Sequence, residues 1–575
     1  MLAQIYIAAI FLALLFCLVF TAIAPARVFG AAMVLAWLGG LVTTEEVLDK
    51  AGNVGLVTLL LLLLVSIGLE KLPWLRRLSQ GLLVAGYRRS LLRLSLVTAA
   101  VSAFVNNTAV VATLANVVRD GERHLPSTLL LPLSYAAVLG GTMTLIGTST
   151  NLIVSSFVED AGGEGLHFFT FLPVGALATA AGIVALVAAA RLLPRNPRDE
   201  VTVAEYVVEA EVTAESPLVG RSIADNGLRE LEALFLAEIV RGEHLISPVS
   251  PQEYIEVGDK LIFSGDIQHL GVLQRFEGLR TFAAEEGLLR GNLVQVVLMP
   301  GATIEGRTIK ESGFRSLFDA AVVGLRRGGQ RLSGKLGSIT LQAGDSLMLA
   351  VGGDFYQRRN VDRNFLVVGS RRVEDELGPL QSLFVGGGML LAVALAALGL
   401  LPLVKGLAAL LVGMLLLRVL RAGELRRRFP FDIGLIIASA LILSQALSNT
   451  GLVDVVSRHL HGALAGHGAY VALVGVFFGT LVLTETMTNN AAAALLFPIA
   501  QGLAESYGVG LMPFAMAVAY GASASFLTPY GYATNLMVQN LGGYRFRDYL
   551  RYGLPLSLVY TTVVLLALPY WFPLA

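Results

Sequence analysis

Two polar, asparagine-containing segments interrupt the apolar sequence of this chain in each of its halves. The first half carries Asn-Asn-Thr at 106–108 and Gly-Thr-Ser-Thr-Asn at 147–151, and the second carries Thr-Asn-Asn at 488–490 and Gly-Tyr-Ala-Thr-Asn at 531–535. In both halves the last asparagine follows the central asparagine of the first segment at a similar distance, 44 residues (151 − 107) and 46 residues (535 − 489). Polar groups at membrane depth are costly unless they line a cavity or bind a ligand. The duplicated breaks therefore predict a binding site built at mid-membrane by two related halves.

The composition places most of the chain in lipid. Hydrophobic residues make up 55% of the 575 residues and charged residues 15%, against about 25% charged residues in an average soluble domain. Lys plus Arg equals Asp plus Glu, at 42 each, so net charge does not indicate a nucleic-acid partner. The single cysteine, Cys17, excludes an intrachain disulfide and a cysteine-based metal site. We predict a mainly α-helical polytopic membrane protein that contacts lipid and binds no nucleic acid.

Basic residues orient the apolar spans, because Lys and Arg collect on the cytoplasmic side of a membrane. The basic clusters lie at 71–93, 191–198, 421–428 and 545–551. All of them are cytoplasmic only if 94–119 enters the membrane and returns to the same side instead of crossing it. Placing the basic clusters of the second half on the cytoplasmic side in the same way makes 469–505 a hairpin that enters from outside. We predict an inverted-repeat transporter with two re-entrant helical hairpins.

Each predicted membrane repeat contains one hairpin and one broken helix. The first repeat covers 1–198, with its hairpin at 94–119 and its broken helix at 127–157, and the second covers 373–575, with its hairpin at 469–505 and its broken helix at 511–540. The acidic residues at 45–46 and 159–160 then lie outside.

Residues 199–372 differ from the rest of the chain, since they are charged, rich in turns and contain short alternating runs. Glycine landmarks recur at one offset, because 306 − 220, 313 − 227 and 344 − 258 all equal 86. This repetition predicts two small α+β modules, 199–290 and 291–372, each with a Gly-Asp turn between strands. The basic flanks place the pair in the cytoplasm. Arg229 and Arg315 match across the repeat, and either a small-molecule effector pocket or a structural role fits them.

The broken helices supply the chemistry of the predicted site. Unwound carbonyls and asparagine oxygens suit a hard cation such as Na⁺, while helix N-termini attract anions. None of the four polar segments contains Lys or Arg, so a bound anion must be balanced by helix ends and co-bound cations. This favours cation-coupled anion uptake, and the alternative is that the asparagines only cap the broken helices.

The predicted binding site has two parts. The predicted substrate-binding residues are Asn106, Asn107, Thr108, Ser149, Thr150, Thr488, Asn489, Asn490 and Thr534. The predicted Na⁺ ligands are Asn107, Gly147, Asn151, Asn489, Gly531 and Asn535. Glu485 is the only carboxylate near the second tip, and its counterpart is Ala103. Glu485 is either a coupling proton site or a hydrogen-bond anchor for the hairpin, and we favour the anchor because the first half has alanine.

These motifs resemble those of the divalent anion/sodium symporters, within the ion transporter superfamily that also contains arsenite permeases. The family signature Ser-Asn-Thr keeps its central asparagine at Asn107 and Asn489, and the Gly-Thr-x-x-Asn break matches at 147–151 and in part at 529–535. The resemblance implies two sodium sites with substrate between them, a dimeric scaffold and an elevator motion of the hairpin domain. The insert at 199–372 resembles paired RCK-C-type regulatory modules, and family members with such an insert are commonly described as sulfate or other anion permeases.

Together with this resemblance, the sequence predicts a homodimeric inner-membrane carrier, not an enzyme, that takes up sulfate or, second, a C4-dicarboxylate with Na⁺. Three alternatives stay open. The first is a cation/proton antiporter, in which Glu485→Gln would abolish transport. The second is an arsenite-type or other anion efflux permease. The third is a membrane sensor in which the insert signals and transport is vestigial.

Overall fold

The computed structural model describes residues 2–574 with gaps. The gaps are residues 22, 73–80, 122, 164, 197–206, 229–230, 232–233, 243, 247–248, 266–275, 283–292, 300–301, 328–329, 333–335, 353, 356–357, 359, 369–376 and 464–467. The chain divides into two compact units. One comprises 1–195, 373–538 and 546–575, and the other comprises 196–372 with 539–545.

The helices of the first half form where the sequence is apolar and end at its polar breaks. They are α1 (Leu2–Phe20), α2 (Pro25–Leu38), α3 (Thr44–Ala51), α4 (Val54–Glu70), α5 (Tyr87–Ser102), α6 (Asn107–Asp120), α7 (Leu130–Gly141), α8 (Ser149–Asp160) and α9 (Leu172–Ala188). Helix α3 begins with a capping box, in which the Thr43 hydroxyl accepts from the Glu46 amide and the Glu46 carboxylate accepts from the Thr43 amide.

Ten helices are described after residue 378. They are α12 (Pro379–Ala397), α13 (Leu403–Leu416), α14 (Ala422–Arg428), α15 (Phe431–Thr450), α16 (Leu452–Ala463), α17 (Ala469–Thr486), α18 (Asn489–Tyr507), α19 (Leu511–Ser523), α20 (Ala533–Gly542) and α21 (Phe546–Trp571). Two short helices lie between the two halves in sequence, α10 (Phe314–Phe318) and α11 (Val361–Asn364).

Seven helical segments among the described residues are long and apolar enough to cross a membrane. They are Leu2–Phe20, Thr44–Glu70, Leu172–Leu192, Pro379–Ala397, Phe431–Thr450, Ala469–Thr486 and Phe546–Trp571. Exposed leucines such as Leu2, Leu380 and Leu390 lie on these segments, as expected where lipid replaces water. The chain is a mainly helical, multi-pass membrane protein, which confirms the predicted class.

The membrane helices pack in two groups. Helices α1 to α4 each contact α15, α1 also contacts α2, and α4 also contacts α12 and α13, whereas the hairpin α5–α6 packs on α7 and the hairpin α17–α18 packs on α19. Helices α8, α9 and α21 belong to the second group, through α8 on α18 and α19 and through α9 on α7 and α21. The groups meet where α4 packs on α8 and α15 packs on α18, and α16 contacts both α15 and α18. The polar breaks therefore lie in one packed group of helices.

The soluble unit contains two five-stranded antiparallel sheets with equivalent strand order. The first has the order β3-β2-β4-β1-β5 and the second β10-β6-β9-β7-β8. The strands are β1 (Val207–Val212), β2 (Leu234–Arg241), β3 (His244–Ile246), β4 (Lys260–Gly265), β5 (Leu279–Phe282), β6 (Leu293–Leu298), β7 (Ala320–Arg327), β8 (Gln330–Arg331), β9 (Ser346–Val351) and β10 (Phe365–Val368). Corresponding strands begin 86 residues apart, as in 320 − 234 and 346 − 260. Two small antiparallel sheets confirm the predicted α+β insert.

An ion pair between a half-buried arginine and a buried aspartate recurs in both sheets. Asp259 is fully buried and accepts from Arg241 Nε at 2.8 Å, and Asp345 is fully buried and accepts from Arg327 Nε at 2.7 Å. Hydrogen bonding to these carboxylates raises the pKa of both arginines. Each pair secures the Gly-Asp turn predicted from the sequence.

The residues of the predicted effector pocket are only partly described. Arg315 Nη1 donates to the Val249 carbonyl oxygen at 3.2 Å, so it connects the two sheet modules. Arg229 lies outside the described residues.

Candidate functional site

Each hairpin is interrupted by a short break with a capping residue at its end. Between α5 and α6, the Asn106 side chain accepts from the Thr108 amide at 2.9 Å. Between α17 and α18, the Thr488 hydroxyl accepts from the Ala491 amide at 3.4 Å. Both residues were predicted to bind substrate, and the structure gives each a role as the N-cap of the returning helix.

The central asparagines are buried immediately after these caps. Asn107 is 2% exposed and Asn489 is 7% exposed. With Asn107 Oδ1 oriented toward Ser102, the Ser102 hydroxyl donates to that oxygen, and the Thr484 hydroxyl donates to Asn489 Oδ1 at 2.8 Å. The two hairpins therefore orient their asparagines through the same bond, from a hydroxyl five residues earlier.

A threonine clamp holds the second break of each half against its hairpin. The Thr144 hydroxyl donates to the Ala103 carbonyl oxygen and accepts from the Gly147 amide at 3.1 Å. The Thr528 hydroxyl donates to the Glu485 carbonyl oxygen at 3.1 Å and accepts from the Gly531 amide at 3.1 Å. The sequence prediction missed this pair, although each threonine stands three residues before a predicted glycine.

Asn151 and Asn535, both predicted as cation ligands, connect the two sides of these breaks. Asn151 Nδ2 donates to the Thr144 carbonyl oxygen at 2.8 Å, and Asn535 Nδ2 donates to the Thr528 carbonyl oxygen at 3.2 Å. Asn535 Oδ1 also accepts from the Ser134 hydroxyl at 2.7 Å. Their amides therefore fix the shape of the unwound segments. A cation bound to Asn535 Oδ1 would compete with the Ser134 hydroxyl for that oxygen.

Equivalent residues of the two halves, related by constant sequence offsets, make the same hydrogen bonds. The hairpin bonds are related by 382 residues (489 − 107 and 484 − 102), and the break bonds by 384 (528 − 144, 531 − 147 and 535 − 151). A shared hydrogen-bond pattern is a stricter likeness than shared composition. The two halves therefore build the same local structure at the predicted site.

Oxygen atoms converge on the Asn107 amide. With Oδ1 toward Ser102, that oxygen also faces the carbonyl oxygens of Ala137 and Gly147, while Nδ2 donates to the Tyr532 hydroxyl at 2.7 Å. In the reversed orientation Nδ2 would donate to those two carbonyl oxygens at 3.2 Å, and Oδ1 would accept from Tyr532. The first orientation presents oxygen ligands to a hard cation, and the second pairs the same carbonyls without one.

The close approach of Asn107 requires a glycine. A Cβ at residue 141 would lie 2.8 Å from both amide atoms of Asn107 and 3.1 Å from the Gly147 carbonyl oxygen. A larger residue at Gly141 would occupy the space between the hairpin and the break.

The second half differs by a carboxylate. Glu485 Oε1 accepts from the Phe526 amide at 2.8 Å and from the Leu527 amide at 2.7 Å. Glu485 Oε2, Ser525 Oγ and Asn489 Nδ2 are buried without a hydrogen-bond partner in the described part of the chain. A Cβ placed at Gly531 would lie 3.2 Å from Glu485 Oε2 and 3.0 Å from the Thr484 carbonyl oxygen. This tip therefore also gathers oxygen atoms, one of them from a carboxyl group.

Side chains of the two halves meet between the tips. The Ser149 hydroxyl donates to Asn490 Oδ1 at 2.9 Å, and the Tyr532 hydroxyl lies 3.3 Å from Thr148 Oγ1. Thr108 is half-buried beside Asn107. Thr150 and Thr534 are fully buried, and the Ser134 hydroxyl lies 2.8 Å from Thr534 Oγ1. Of the predicted substrate residues named here, Thr108, Ser149 and Asn490 are half-buried, whereas Thr150 and Thr534 are fully buried.

Comparison with known proteins gives related membrane proteins. A family model described as citrate transporter matches residues 10–521. A protein of Chlamydomonas reinhardtii named as a sulfur deprivation response regulator is 34% identical over 556 residues, which are 92% of this chain and 95% of the relative. An uncharacterized transporter of Synechocystis is 30% identical over 549 residues, 91% of this chain and 89% of the relative. Sodium/sulfate cotransporter 2 of Chlamydomonas reinhardtii is 31% identical over 382 residues, but these are 62% of this chain and 42% of the relative.

Proposed function

Because the chain belongs to the citrate transporter family, we propose that it imports a small divalent oxyanion by coupling to Na⁺. Sulfate is the preferred substrate and a C4-dicarboxylate the second. The observation that carries this proposal is the duplicated oxygen-lined tip, in which buried Asn107 and Asn489 stand among carbonyl and hydroxyl oxygens. The names of the similar sodium/sulfate cotransporters support the choice of ion and substrate.

Two Na⁺ sites are proposed, one at each tip. The first uses Asn107 Oδ1, Ser102 Oγ and the Gly147 carbonyl oxygen, and the second uses Asn489 and oxygens near Gly531. Asn151 and Asn535 support these sites by holding the breaks closed. The charge of the cations offsets the missing Lys and Arg, so that an oxyanion can bind between them.

The anion is placed between the tips. Thr108, Ser149 and Asn490 supply hydroxyl and amide donors there, and the Ser149–Asn490 bond joins the two halves. Helices α6 and α18 begin at Asn107 and Asn489, so the positive ends of both helix dipoles lie at the tips and favour negative charge there. Such short, uncharged donors fit a compact oxyanion.

We assign Glu485 an anchoring role. One of its carboxylate oxygens accepts two backbone amides from the 526–527 segment, which fastens the hairpin to the break. Glu485→Gln keeps an oxygen acceptor and should retain sodium-driven uptake, whereas loss of all uptake would favour the proton antiporter.

An elevator motion is proposed for the second helix group against the first. The packing of α4 on α8 and of α15 on α18 forms the boundary along which it would move. A homodimer built through the first group would hold that group still. We further propose that the 199–372 insert is cytoplasmic and regulates transport as RCK-C-type modules do, through a small-molecule effector.

Uptake into proteoliposomes tests the substrate and the coupling. We expect labelled sulfate to accumulate under an inward Na⁺ gradient and not under an equal K⁺ gradient. Unlabelled sulfate should compete best, succinate next, and arsenite least. Accumulation that ignores Na⁺, or that is displaced only by arsenite, would contradict the proposal.

A second candidate function is sulfur sensing. It is favoured by the similarity, along nearly the whole chain, to a protein named as a sulfur deprivation response regulator. A sensor in which transport is vestigial would bind sulfate and Na⁺ but show no sodium-driven accumulation in the same vesicles.

A further inference from the structure

Tyr532 reaches from the second half of the chain into the cation site of the first. It follows Gly531 in the second break, where it is half-buried. Its hydroxyl lies 2.7 Å from the Asn107 amide and 3.3 Å from Thr148 Oγ1. Through these contacts it joins the first asparagine tip to the break of the opposite half. Neither the predicted ligand set nor the predicted substrate site includes it.

The symmetry of the halves makes this contact unusual. The offset of 384 that relates Gly147 to Gly531 also relates Thr148 to Tyr532, since 532 − 384 = 148. Two equivalent positions thus contact each other where the halves meet. Only the tyrosine is long enough to reach an asparagine tip. Asn489 Nδ2, the equivalent of the Asn107 amide nitrogen, is buried without a partner among the described residues.

The two orientations of the Asn107 amide make opposite demands on the tyrosine. When Oδ1 faces a cation, Nδ2 donates to the Tyr532 oxygen, and the hydroxyl hydrogen is left to donate elsewhere. When the amide is reversed, Oδ1 takes that hydrogen as an acceptor. A hydroxyl serves both states because it both donates and accepts, but it has only one hydrogen.

We propose that Tyr532 is the positioning residue that links sodium binding at Asn107 to anion binding between the tips. Sodium holds Asn107 Oδ1 toward the cation, and this releases the Tyr532 O–H to donate to an oxygen of the anion. Without sodium the Asn107 amide reverses, and its Oδ1 accepts the Tyr532 hydroxyl hydrogen. This link from Na⁺ through Asn107 and Tyr532 to the anion, the Tyr532 relay, rests on the proposed sodium-coupled function and deepens it. It makes the first cation site a switch for one anion hydrogen bond.

Equilibrium binding of labelled sulfate to the purified full chain, with and without Na⁺, tests the relay. The quantity measured is the coupling factor, the ratio of the two sulfate dissociation constants. Tyr532→Phe keeps the ring and removes the hydroxyl, and we expect the coupling factor to fall about tenfold, as for the loss of one hydrogen bond to an anion. Tyr530→Phe is the matched control, since Tyr530 is exposed two residues away, and it should keep the wild-type factor.

The outcomes are separable. Sodium-coupled binding by the wild type together with an unchanged coupling factor in Tyr532→Phe overturns the relay and leaves the proposed function in place. Absence of sodium-dependent sulfate binding by the wild type overturns both. Should Tyr532→Phe fail to fold, Tyr532→Gln and Tyr532→Leu replace it, because they are similar in size and differ in hydrogen bonding. Coupling retained in Gln and lost in Leu supports the relay, and equal coupling in the two overturns it.

Discussion

Joining residues 50 and 160 covalently is expected to stop uptake completely, and cleaving the link should restore it. Lys50 Nζ lies 2.6 Å from Asp160 Oδ1, and both side chains are largely buried. Lys50 is on α3, in the first helix group, and Asp160 ends α8, in the second. An elevator motion must separate these residues, so a permanent link holds the groups in one position.

The experiment is favoured by the cysteine content of the chain. Cys17 is the only cysteine, so Cys17→Ser gives a background in which Lys50→Cys and Asp160→Cys are the only thiols. A reducible bifunctional thiol reagent about as long as a lysine side chain replaces the ion pair, because a direct disulfide needs Cα atoms within about 7 Å.

A matched control lies within one helix group. Lys71 Nζ pairs with Glu424 Oε2 at 2.7 Å, and both residues belong to the first group. The link between Lys71→Cys and Glu424→Cys should leave uptake unchanged. Full uptake by the linked 50–160 protein would contradict the elevator proposal.

Replacing Asn107 or Asn489 by alanine should raise the sodium concentration for half-maximal sulfate uptake about tenfold or more, equivalent to ~1.4 kcal/mol. Each asparagine holds an oxygen near the proposed cation, and alanine removes both the ligand and its bond to Ser102 or Thr484. The measurement is sulfate uptake as a function of Na⁺ at constant ionic strength.

Two polar residues on the same helices serve as controls. Asn116 lies on α6 and Gln501 on α18, both half-buried and more than two turns from the tips. Asn116→Ala and Gln501→Ala should keep the wild-type sodium dependence. If Asn107→Ala and Asn489→Ala also keep it, the asparagines do not bind the coupling ion.

Sequence periodicity and repetition could predict the features that are local. The 86-residue offset led to two sheets of the same strand order, and the breaks after Ser102 and Gly141 lie where polar residues interrupt apolar ones. These features depend on residues near one another in the chain. Their physical cause, the cost of polar groups in lipid and the needs of a turn, is visible in a short stretch of sequence.

Features that depend on distant partners could not be predicted in this way. The bond between Asn107 and Tyr532 spans 425 residues, and the Lys50–Asp160 pair spans 110. Nothing near Tyr532 in the sequence indicates that packing brings it to the tip of the opposite half. The threonine clamp at Thr144 and Thr528 is different, because each threonine stands three residues before a glycine of the break, and this spacing can be read from the sequence alone.

The ratio of sodium to sulfate carried by the wild type tests the central claim most directly. Parallel uptake of labelled sodium and labelled sulfate into the same proteoliposomes gives this ratio. Two oxygen-lined tips around one anion site predict about two sodium ions for each sulfate, one from each tip. Sulfate that enters with no accompanying sodium would contradict the account.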